Sequence, residues 1–435
     1  MISAALTCGL IMLVSILFLL LIGVPISISL GCGAALAMLV VLPADKALLM
    51  AAQKTFTGIN SFTLLAIPFF ILAGIIMNNG GIARRLVNLA KALVGRLPGA
   101  LALTDVVANM LFGSISGSGS ASCAAIGGII TPMAEEEGYE KDYIAAVNVV
   151  SAPSGILIPP SNTLIIFSTV AGGVSITSLF LGGYIPGILW GLGVMLLAFF
   201  MAKKRGYKGS AKTTWEETLK VTWQAIPSLL LIVIVIGGIL LGIFTPTEAS
   251  AIAVCYALFL SFIYKTIKLS DLPRILLQAA ELTCIIVFLI GLSSIMSWIL
   301  AFTKIPSLLA AGLLSLSDNP IIILLIMNIL LLVIGTFMDP TPAILIFTPI
   351  FLPIALNFGM DPVHFGIMMT FNLCIGCITP PVGAILFTGC KVSNISIEKI
   401  MSPLLPFFGV LFVILLLVTF IPAVSLWIPR MAGLM

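Results

Sequence analysis

Residues 113–122 read GSISGSGSAS and residues 335–342 read GTFMDPTP, and each stretch interrupts an otherwise apolar region. Glycine permits irregular turns, while proline removes a backbone donor and stops a helix. The two apolar regions, 99–134 and 319–357, therefore predict either two short spans each or one re-entrant hairpin each, with the quoted stretches at the tips. The choice between these alternatives decides the topology of the whole chain.

The composition is that of a polytopic membrane protein. Of 435 residues, 60% are hydrophobic and 8% are charged, and the mean hydropathy is +1.27, whereas soluble domains are about 25% charged. The apolar start, residues 2–24, lacks a basic segment and a small-residue cleavage site, so it predicts a retained span rather than a signal peptide. A net charge of +4 gives no reason to expect a nucleic-acid partner.

Ten apolar runs are long enough to span a bilayer, for which about 20 residues are needed. They are 3–23, 25–43, 58–79, 143–171, 178–202, 223–243, 247–265, 276–302, 362–389 and 401–428. Basic residues concentrate in three short loops, which the positive-inside rule assigns to the cytoplasm. These loops hold Arg84, Arg85, Lys91 and Arg96; Lys203, Lys204, Arg205, Lys208 and Lys212; and Lys265, Lys268 and Arg274.

The basic loops exclude a single crossing of region 99–134, and a hairpin and two full crossings satisfy them equally well. Segments 84–96 and 203–220 lie on the same side, with two spans between them besides region 99–134, so this region must enter and return. Two full crossings are disfavoured because each half holds only about 14 residues. Segment 83–97 predicts an amphipathic helix in the cytoplasmic interface, or a plain basic anchor, and segment 303–317 is its less charged counterpart.

The chain repeats itself at an offset of 221 residues. Matched positions include Pro25 and Pro246, Gly155 and Gly376, and Pro159-Pro160 and Pro380-Pro381, with Gly113 and Gly335 at 222. The first repeat is 1–212, with hairpin 99–134 and broken helix 143–171, and the second is 213–435, with hairpin 319–357 and broken helix 362–389. Each half holds five spans and one hairpin, and this odd number of spans predicts opposite topologies for the two halves.

Inverted repeats with interrupted helices are typical of secondary transporters, whose sites lie near the midplane where broken elements of both halves meet. Four breaks occur here: the two tips and the stretches 151–163 and 372–383. Free carbonyls and Ser or Thr hydroxyls suit a hard cation such as sodium, and half-helix N-termini suit an anionic substrate. Small residues at a single tip would favour close helix packing instead. Four symmetric breaks favour binding.

A few ionisable residues lie in or beside the apolar regions. Asp339 at the second tip is a candidate sodium ligand or proton acceptor, or else a cap for the following helix. Asp105 lies near the membrane edge, where helix capping is expected, and His364 is expected in a loop. The cysteines are expected to be small core residues, and the pair Cys374 and Cys377 lacks a second thiol pair. No transition-metal site is therefore predicted.

Four stretches are distinctive in combination: LLAIPFFILAGIIMNNGGIARRLV (64–87), GSISGSGSAS followed by PMAEEEGY, GILIPPSN (155–162) and CITPPVGAILFTGC (377–390). They resemble the large membrane subunit, the DctM-like component, of tripartite ATP-independent periplasmic (TRAP) transporters, and the resemblance covers nearly the whole chain. It implies an all-α polytopic membrane protein of the ion transporter superfamily, a sodium-coupled symporter rather than an enzyme. It also implies an elevator motion, in which both hairpins and both broken helices move as a transport domain against a scaffold formed by the rest.

The resemblance also implies partners. These are a small four-helix membrane subunit (DctQ-like) and a periplasmic substrate-binding protein (DctP-like), with sodium as coupling ion and no other cofactor. No small subunit precedes Met1, so a separate partner chain is expected. The expected cargo is a small carboxylate of the C4-dicarboxylate, sialic acid or sugar-acid class, carried across the bacterial inner membrane. An ion channel, and a symporter or antiporter without a binding protein, are the alternatives. An intramembrane enzyme would need a paired catalytic set at depth, and none is evident.

Sodium sites of the family pair each hairpin tip with a broken helix. The first site is expected to use Ser114, Ser116, Gly117, Ser118, Ser120, Ser151, Pro153 and Gly155. The second is expected to use Gly335, Thr336, Asp339, Thr341, Gly376, Thr379 and Pro380. Substrate contacts are expected from Ser118, Ser161, Asn162, Thr341, Pro381 and Gly383.

Overall fold

The computed structural model describes residues 2–209, 215–316 and 319–434, and within these ranges the regular elements are all helical. The α-helices are α1 Ile2–Leu21, α2 Ile26–Val41, α3 Ala44–Ile59, α4 Ala66–Asn79, α5 Ile82–Val94, α6 Ala100–Ser116, α7 Gly119–Glu136, α8 Lys141–Ser151, α9 Ser154–Leu157, α10 Asn162–Val170, α11 Ile176–Lys204, α12 Trp215–Leu240, α13 Pro246–Ile263, α14 Leu272–Thr303, α15 Ile305–Leu316, α16 Pro320–Phe337, α17 Pro340–Asn357, α18 Pro362–Gly376, α19 Ala384–Val392, α20 Ile397–Phe420 and α21 Ala423–Met431. The predicted repeat boundary at 212/213 lies outside the described residues, as does the last residue of segment 303–317.

Within the described ranges, eight helices are long and apolar enough to cross a membrane. A ninth span results if α8 and α9 are joined to α10, which follows them with a bend of 48°. Helices α1, α2, α6 and α18 are shorter apolar segments. The prediction of an all-α, multi-pass membrane protein is therefore confirmed.

Two elements differ from the predicted spans. The helix α3 is not predicted, because Asp45, Lys46 and Lys54 interrupt its apolar pattern, yet it packs on α2 and α14. The predicted span 401–428 is wrong beyond Phe420, where α20 ends and the short helix α21 follows. Pro422 explains this end, because proline has no N–H to continue a helix and disfavours helical backbone in the residue before it.

The first tip is much shorter than the ten-residue stretch suggests. Helix α6 continues to Ser116 and α7 begins at Gly119, so only two residues separate them, and Gly117 turns the chain with a φ of +63°. The hairpin arms hold 17 or 18 residues each rather than about 14, so the length argument against two crossings is wrong. The arms do fold back on each other, because the Ser122 hydroxyl donates to Asn109 Oδ1 at 2.7 Å.

Helix α5 confirms the predicted amphipathic helix. Its residues Leu86, Leu89 and Ala90 are buried, whereas Arg84 and Asn88 on the opposite face are exposed. The buried face packs on α6 and α12. The helix thereby fixes the start of the first hairpin.

The helices pack in two groups. The hairpin group comprises α6–α11 and α16–α21, and the flanking group comprises α1–α5 and α12–α15. Helices α5 and α15 lie between the groups, since each packs extensively on the hairpin group as well. Trp190 of α11 lies inside the hairpin group, where its indole N–H donates to the Val150 carbonyl of α8 at 2.8 Å and its ring packs edge-on against Phe371 of α18. Helices α11 and α20, which the sequence assigns to the scaffold, thus pack with the hairpins and the broken helices.

The groups meet where α5 packs on α6 and where α14 and α15 pack on α17. His364 lies in the first turn of α18, so the expectation of a loop there is wrong. His364 is buried, with Nδ1 against the Ser425 hydroxyl and Nε2 against the Thr419 carbonyl. The two contacts connect α18 to α21 and to the end of α20, which gives this histidine a structural role.

Candidate functional site

A cavity of about 480 Å³ lies where the two predicted tips meet. The first tip contributes residues 116–121, the second contributes residues 339–342, and α10 contributes Asn162 and Thr163. The opposite wall belongs to the flanking group and consists of Pro25 just before α2, Ile26 and Ser27 of α2, Ile71, Gly74, Ile75 and Asn78 of α4, and Leu282, Ile285, Ile286 and Leu289 of α14. Breaks from both halves of the sequence are thus brought to one site.

Four described helices begin at the cavity: α2 of the flanking group, and α7, α10 and α17. The first amides of a helix have no acceptor within it and carry the positive end of its dipole. Ser118 Oγ caps α7 by accepting from the Ala121 N–H at 3.3 Å, and Ser161 Oγ caps α10 by accepting from the Leu164 N–H at 3.4 Å. The amides left for a ligand at these two ends are those of Gly119, Ser120, Asn162 and Thr163.

The second tip has the opposite chemistry. Helix α17 begins Pro340-Thr341-Pro342, so Thr341 supplies the one N–H of its first three residues. Asp339 takes the N-cap position, but its carboxylate makes no capping hydrogen bond and is exposed. The capping interpretation of Asp339 is therefore wrong. The carboxylate lies on the cavity wall instead.

Several polar groups on the wall lack partners among the described residues. Thr163 is only 4% exposed, yet its Oγ1 makes no hydrogen bond to any of them. Asn162 Oδ1 is buried and also unpartnered. Buried polar groups are nearly always hydrogen-bonded, so Asn162 Oδ1, an acceptor, calls for a donor from solvent or a ligand. The Thr163 hydroxyl is available to donate to a ligand in the cavity. Among the described lining residues Asp339 carries the one formal charge, and there is no Lys, Arg or His.

Behind each tip, two glycines bring a hairpin into backbone contact with a broken helix. A Cβ on Gly155 would lie 2.2 Å from Gly113 Cα, and a Cβ on Gly376 would lie 2.5 Å from Gly335 Cα. Both contacts therefore require glycine. The same four glycines are matched by the offset of 221 or 222 residues.

The first predicted sodium set is divided by the fold. Its members on the cavity wall are Ser116, Gly117, Ser118 and Ser120. Ser114 donates to the Leu111 carbonyl at 2.9 Å, and Ser151 Oγ accepts from Asn109 Nδ2 at 2.8 Å. Pro153 immediately precedes α9, and Gly155 lies at the glycine contact.

The second predicted set is divided in the same way. Asp339 and Thr341 line the cavity, while Gly335 and Gly376 form the glycine contact. The hydroxyls of Thr336 and Thr379 are engaged locally, each donating at 2.7 Å to a carbonyl of the preceding helical turn, and Pro380 lies in the break between α18 and α19. Sodium binding by either set stays a prediction.

The predicted substrate contacts are partly brought together. Ser118, Asn162 and Thr341 line the cavity. Ser161 is buried as the cap of α10, the Gly383 N–H donates to the Thr336 carbonyl at 2.9 Å, and Pro381 does not line the cavity. The sequence misses Thr163, Ser27 and Asn78, because single polar residues at the ends of apolar helices have no distinctive pattern.

A buried polar network joins the first hairpin to α8. Asn109 Nδ2 lies 3.0 Å from Asp105 Oδ1 and 3.1 Å from Asn148 Oδ1. Asn148 in turn donates to the Cys123 carbonyl of α7 at 3.0 Å. Asp105 is completely buried in the second turn of α6, whose N-cap residue is Gly99, so the expectation that it caps a helix is wrong.

The fold is similar to that of a solved membrane protein. The crystal structure of the Alcanivorax borkumensis YdaH transporter matches with a TM-score of 0.65 at 13% identity, covering 87% of this chain and 89% of that one. This likeness concerns the fold alone.

Sequence relatives are much closer. The protein YgiK of Salmonella typhimurium is 52% identical over 417 residues, 96% of each chain. The isethionate TRAP transporter permease protein DctMQ of Oleidesulfovibrio alaskensis is 42% identical over 94% of this chain and 64% of its own length. The C4-dicarboxylate TRAP transporter large permease protein DctM of Pseudomonas aeruginosa is 40% identical over 92% of this chain and 93% of its own.

The family model of the tripartite ATP-independent periplasmic transporter, DctM component, matches residues 13–424. That range includes both tips, both broken helices and every described residue that lines the cavity. The chain therefore belongs to the DctM component family of TRAP transporters.

Proposed function

We propose that this chain carries a small organic anion across the membrane together with sodium, and that the cavity between the tips is the carrying site. The observation that supports this most directly is the convergence of both tips and α10 on one cavity with unpaired amides and hydroxyls. Helix N-termini stabilise anions through their free N–H groups and their dipole. Relatives are named for isethionate, C4-dicarboxylates, sialic acid or 2,3-diketo-L-gulonate, which are small organic anions.

One sodium ion binds behind each tip, near the glycine contacts. The contacts between Gly113 and Gly155 and between Gly335 and Gly376 hold tip and broken-helix backbones together, so that carbonyl oxygens from two elements can surround one ion. Carbonyl and hydroxyl oxygens are the ligands that a hard cation prefers. Sodium binding on both sides of the cavity then fixes the tips that hold the substrate, which couples the two fluxes.

The hairpin group moves as one body against the flanking group. This division is supported by the packing of α11 and α20 on the hairpins and broken helices. At the first tip the boundary is narrow, because a Cβ on Gly74 of α4 would lie 3.2 Å from Ser116 Cα. The motion carries Thr163 and Asp339 with the substrate and leaves Asn78 behind, so access alternates between the two sides.

The chain works in the bacterial inner membrane with a small membrane subunit and a periplasmic binding protein. The family description and the relatives' names support this assembly. The relatives are named as permeases, which agrees with the expectation that the protein is not an enzyme. The binding protein delivers the substrate, so it contributes much of the selection.

Sodium-dependent uptake is the test. The chain and its small subunit are reconstituted in liposomes, and uptake of the ligand that co-purifies with the binding protein is followed with an inward sodium gradient. We expect accumulation that needs both sodium and the binding protein, whereas an equal potassium gradient gives none. Accumulation of free substrate by the chain alone would contradict the tripartite assembly. Flux without accumulation would indicate a channel.

A further inference from the structure

The groups that the two matched tips bring to the cavity differ in chemistry. The first tip and the start of α10 supply the free amides of Gly119, Ser120 and Asn162 and the unpartnered Thr163 hydroxyl, which together form a donor pole. The second tip supplies the exposed Asp339 carboxylate, which forms an acceptor pole. A ligand that fits both poles needs an acceptor for the first and a donor for the second.

The acceptor pole is unsuited to a second anionic group. Pro340 and Pro342 remove two of the amides that would face an anion at the start of α17. The Asp339 carboxylate repels a second carboxylate that approaches it. No Lys, Arg or His among the described lining residues offsets it.

A sodium ion at Asp339 does not make the acceptor pole favourable for a second anionic group. An ion bound at Asp339 cancels the charge of that carboxylate and leaves no surplus positive charge for a dianion. The donor pole is built from helix N-termini and a hydroxyl, which suit one anionic group. With or without sodium at Asp339, the cavity is therefore expected to bind one anionic group of a ligand tightly and a second one weakly.

We propose that the substrate carries a single anionic group, bound at the donor pole, and a hydroxyl or ammonium group that donates to Asp339. This inference rests on the proposed function and narrows its substrate class, because it excludes dicarboxylates as the favoured cargo. The flanking wall adds apolar side chains, such as Leu282, Ile285 and Leu289, that can pack on the carbon skeleton of such a ligand. Asp339 then acts as a specificity-determining residue.

Three probes of equal length test this directly. Succinate, 4-hydroxybutyrate and 4-aminobutyrate share a four-carbon chain with one carboxylate and differ at the other end, which is a carboxylate, a hydroxyl or an ammonium group. Their binding to the purified chain with its small subunit is measured by calorimetry in sodium chloride. We expect 4-hydroxybutyrate or 4-aminobutyrate to bind at least about tenfold more tightly than succinate, because of the repulsion at Asp339.

Variants identify the residue responsible. Asp339→Asn should reduce the difference in affinity between succinate and the other two probes. The affinity for 4-aminobutyrate should fall most, because its ammonium group loses its charged partner. Asp45→Asn removes an exposed acid from the first turn of α3 and should leave the order of the three affinities unchanged. Thermal stability in sodium without probe shows that each variant is folded.

Several outcomes overturn the inference. They are succinate binding as tightly as the other probes, an order that Asp339→Asn leaves unchanged, and the binding of none of the three. Sodium-dependent uptake of a dicarboxylate would remove the single-charge inference and leave the proposed function standing. Loss of sodium-dependent uptake for every organic anion tested would remove the proposed function itself.

Discussion

Gly113 of α6 and Gly155 of α9 pack backbone against backbone, so closely that a Cβ on Gly155 would lie 2.2 Å from Gly113 Cα. Gly335 and Gly376 form a similar contact behind the second tip. Each contact holds the carbonyls of a hairpin in a fixed position relative to a broken helix. A site built from backbone oxygens depends on such a fixed arrangement.

Alanine at these contacts should impair sodium binding. A methyl group at Gly155 or Gly376 forces the two backbones apart, so we expect Gly155→Ala and Gly376→Ala to raise the sodium concentration for half-maximal uptake by about tenfold or to abolish uptake. The measurement is uptake against sodium concentration. Gly128→Ala is the matched control, because no atom lies within 4 Å of a Cβ at this position on α7. Unchanged sodium dependence in Gly155→Ala would contradict the assignment.

The Thr163 hydroxyl should matter for substrate rather than for folding. It has no protein partner among the described residues, so Thr163→Val keeps the shape of the side chain and removes the hydrogen-bonding group. We expect the apparent KM for substrate to rise by about tenfold, as for the loss of one hydrogen bond to a charged ligand, with little change in thermal stability. Thr163→Ser should retain most activity.

Thr169→Val on the same helix is the control for that experiment. Its hydroxyl donates to the Ile165 carbonyl at 3.1 Å and does not line the cavity. Equal effects of Thr163→Val and Thr169→Val on KM would mean that Thr163 does not contact substrate.

The boundary at Gly74 should control motion rather than binding. A Cβ there would lie 3.2 Å from both Ser116 Cα and its carbonyl oxygen, so Gly74→Val wedges α4 against the first tip. We expect uptake to slow by about tenfold or more. Because Gly74 also lines the cavity, binding of the substrate should weaken too, but by a smaller factor. Gly237→Val on α12, where nothing lies within 4 Å, is the control. Equal loss of binding and uptake would place Gly74 in the binding site alone.

The buried network around Asn109 should contribute mainly to stability. Asn109→Leu leaves the polar atoms of Asp105, Asn148 and Ser122 without their partner, so we expect a loss of about 1–3 kcal/mol in the free energy of unfolding. Thermal unfolding in detergent measures it. Asn88→Leu, on the exposed face of α5, should change the midpoint little. A wild-type midpoint for Asn109→Leu would show that the network is not needed for folding.

The large features of the fold follow from local sequence signals. Long apolar runs identify most spans, and the spacing of Gly155 and Gly376 indicates matched breaks, which the structure places at matched backbone contacts. Each break is encoded locally, because glycine permits irregular backbone and proline stops a helix wherever they occur. The sequence therefore identifies the residues 116–121 and 339–342 that meet at the cavity.

The remaining features depend on tertiary packing. The sequence suggests a ten-residue tip, but only two residues lie between α6 and α7. Small residues such as Ser114 and Ser116 fit in the closely packed end of α6, so the helix continues through them. Helix α3 carries charges yet packs on α14 through Gly58, where a Cβ would lie 2.0 Å from Ser294 Oγ. Asp105 is buried because Asn109, one helical turn later, donates a hydrogen bond to its carboxylate. Single residues such as Asn78 acquire a role only when the packed helices form the cavity wall.

The exposed carboxylate of Asp339 also has an electrical consequence. If the hairpin group moves as proposed, an ionised Asp339 travels with it, and a membrane voltage of 100 mV acts on each elementary charge that crosses the full field with about 2.3 kcal/mol. With a single-charged substrate and two sodium ions bound, the moving charges at the site sum to zero. The empty site keeps one negative charge, so an inside-negative voltage drives its return toward the outside. Voltage would then set the rate at which the carrier resets rather than the rate at which it delivers its cargo.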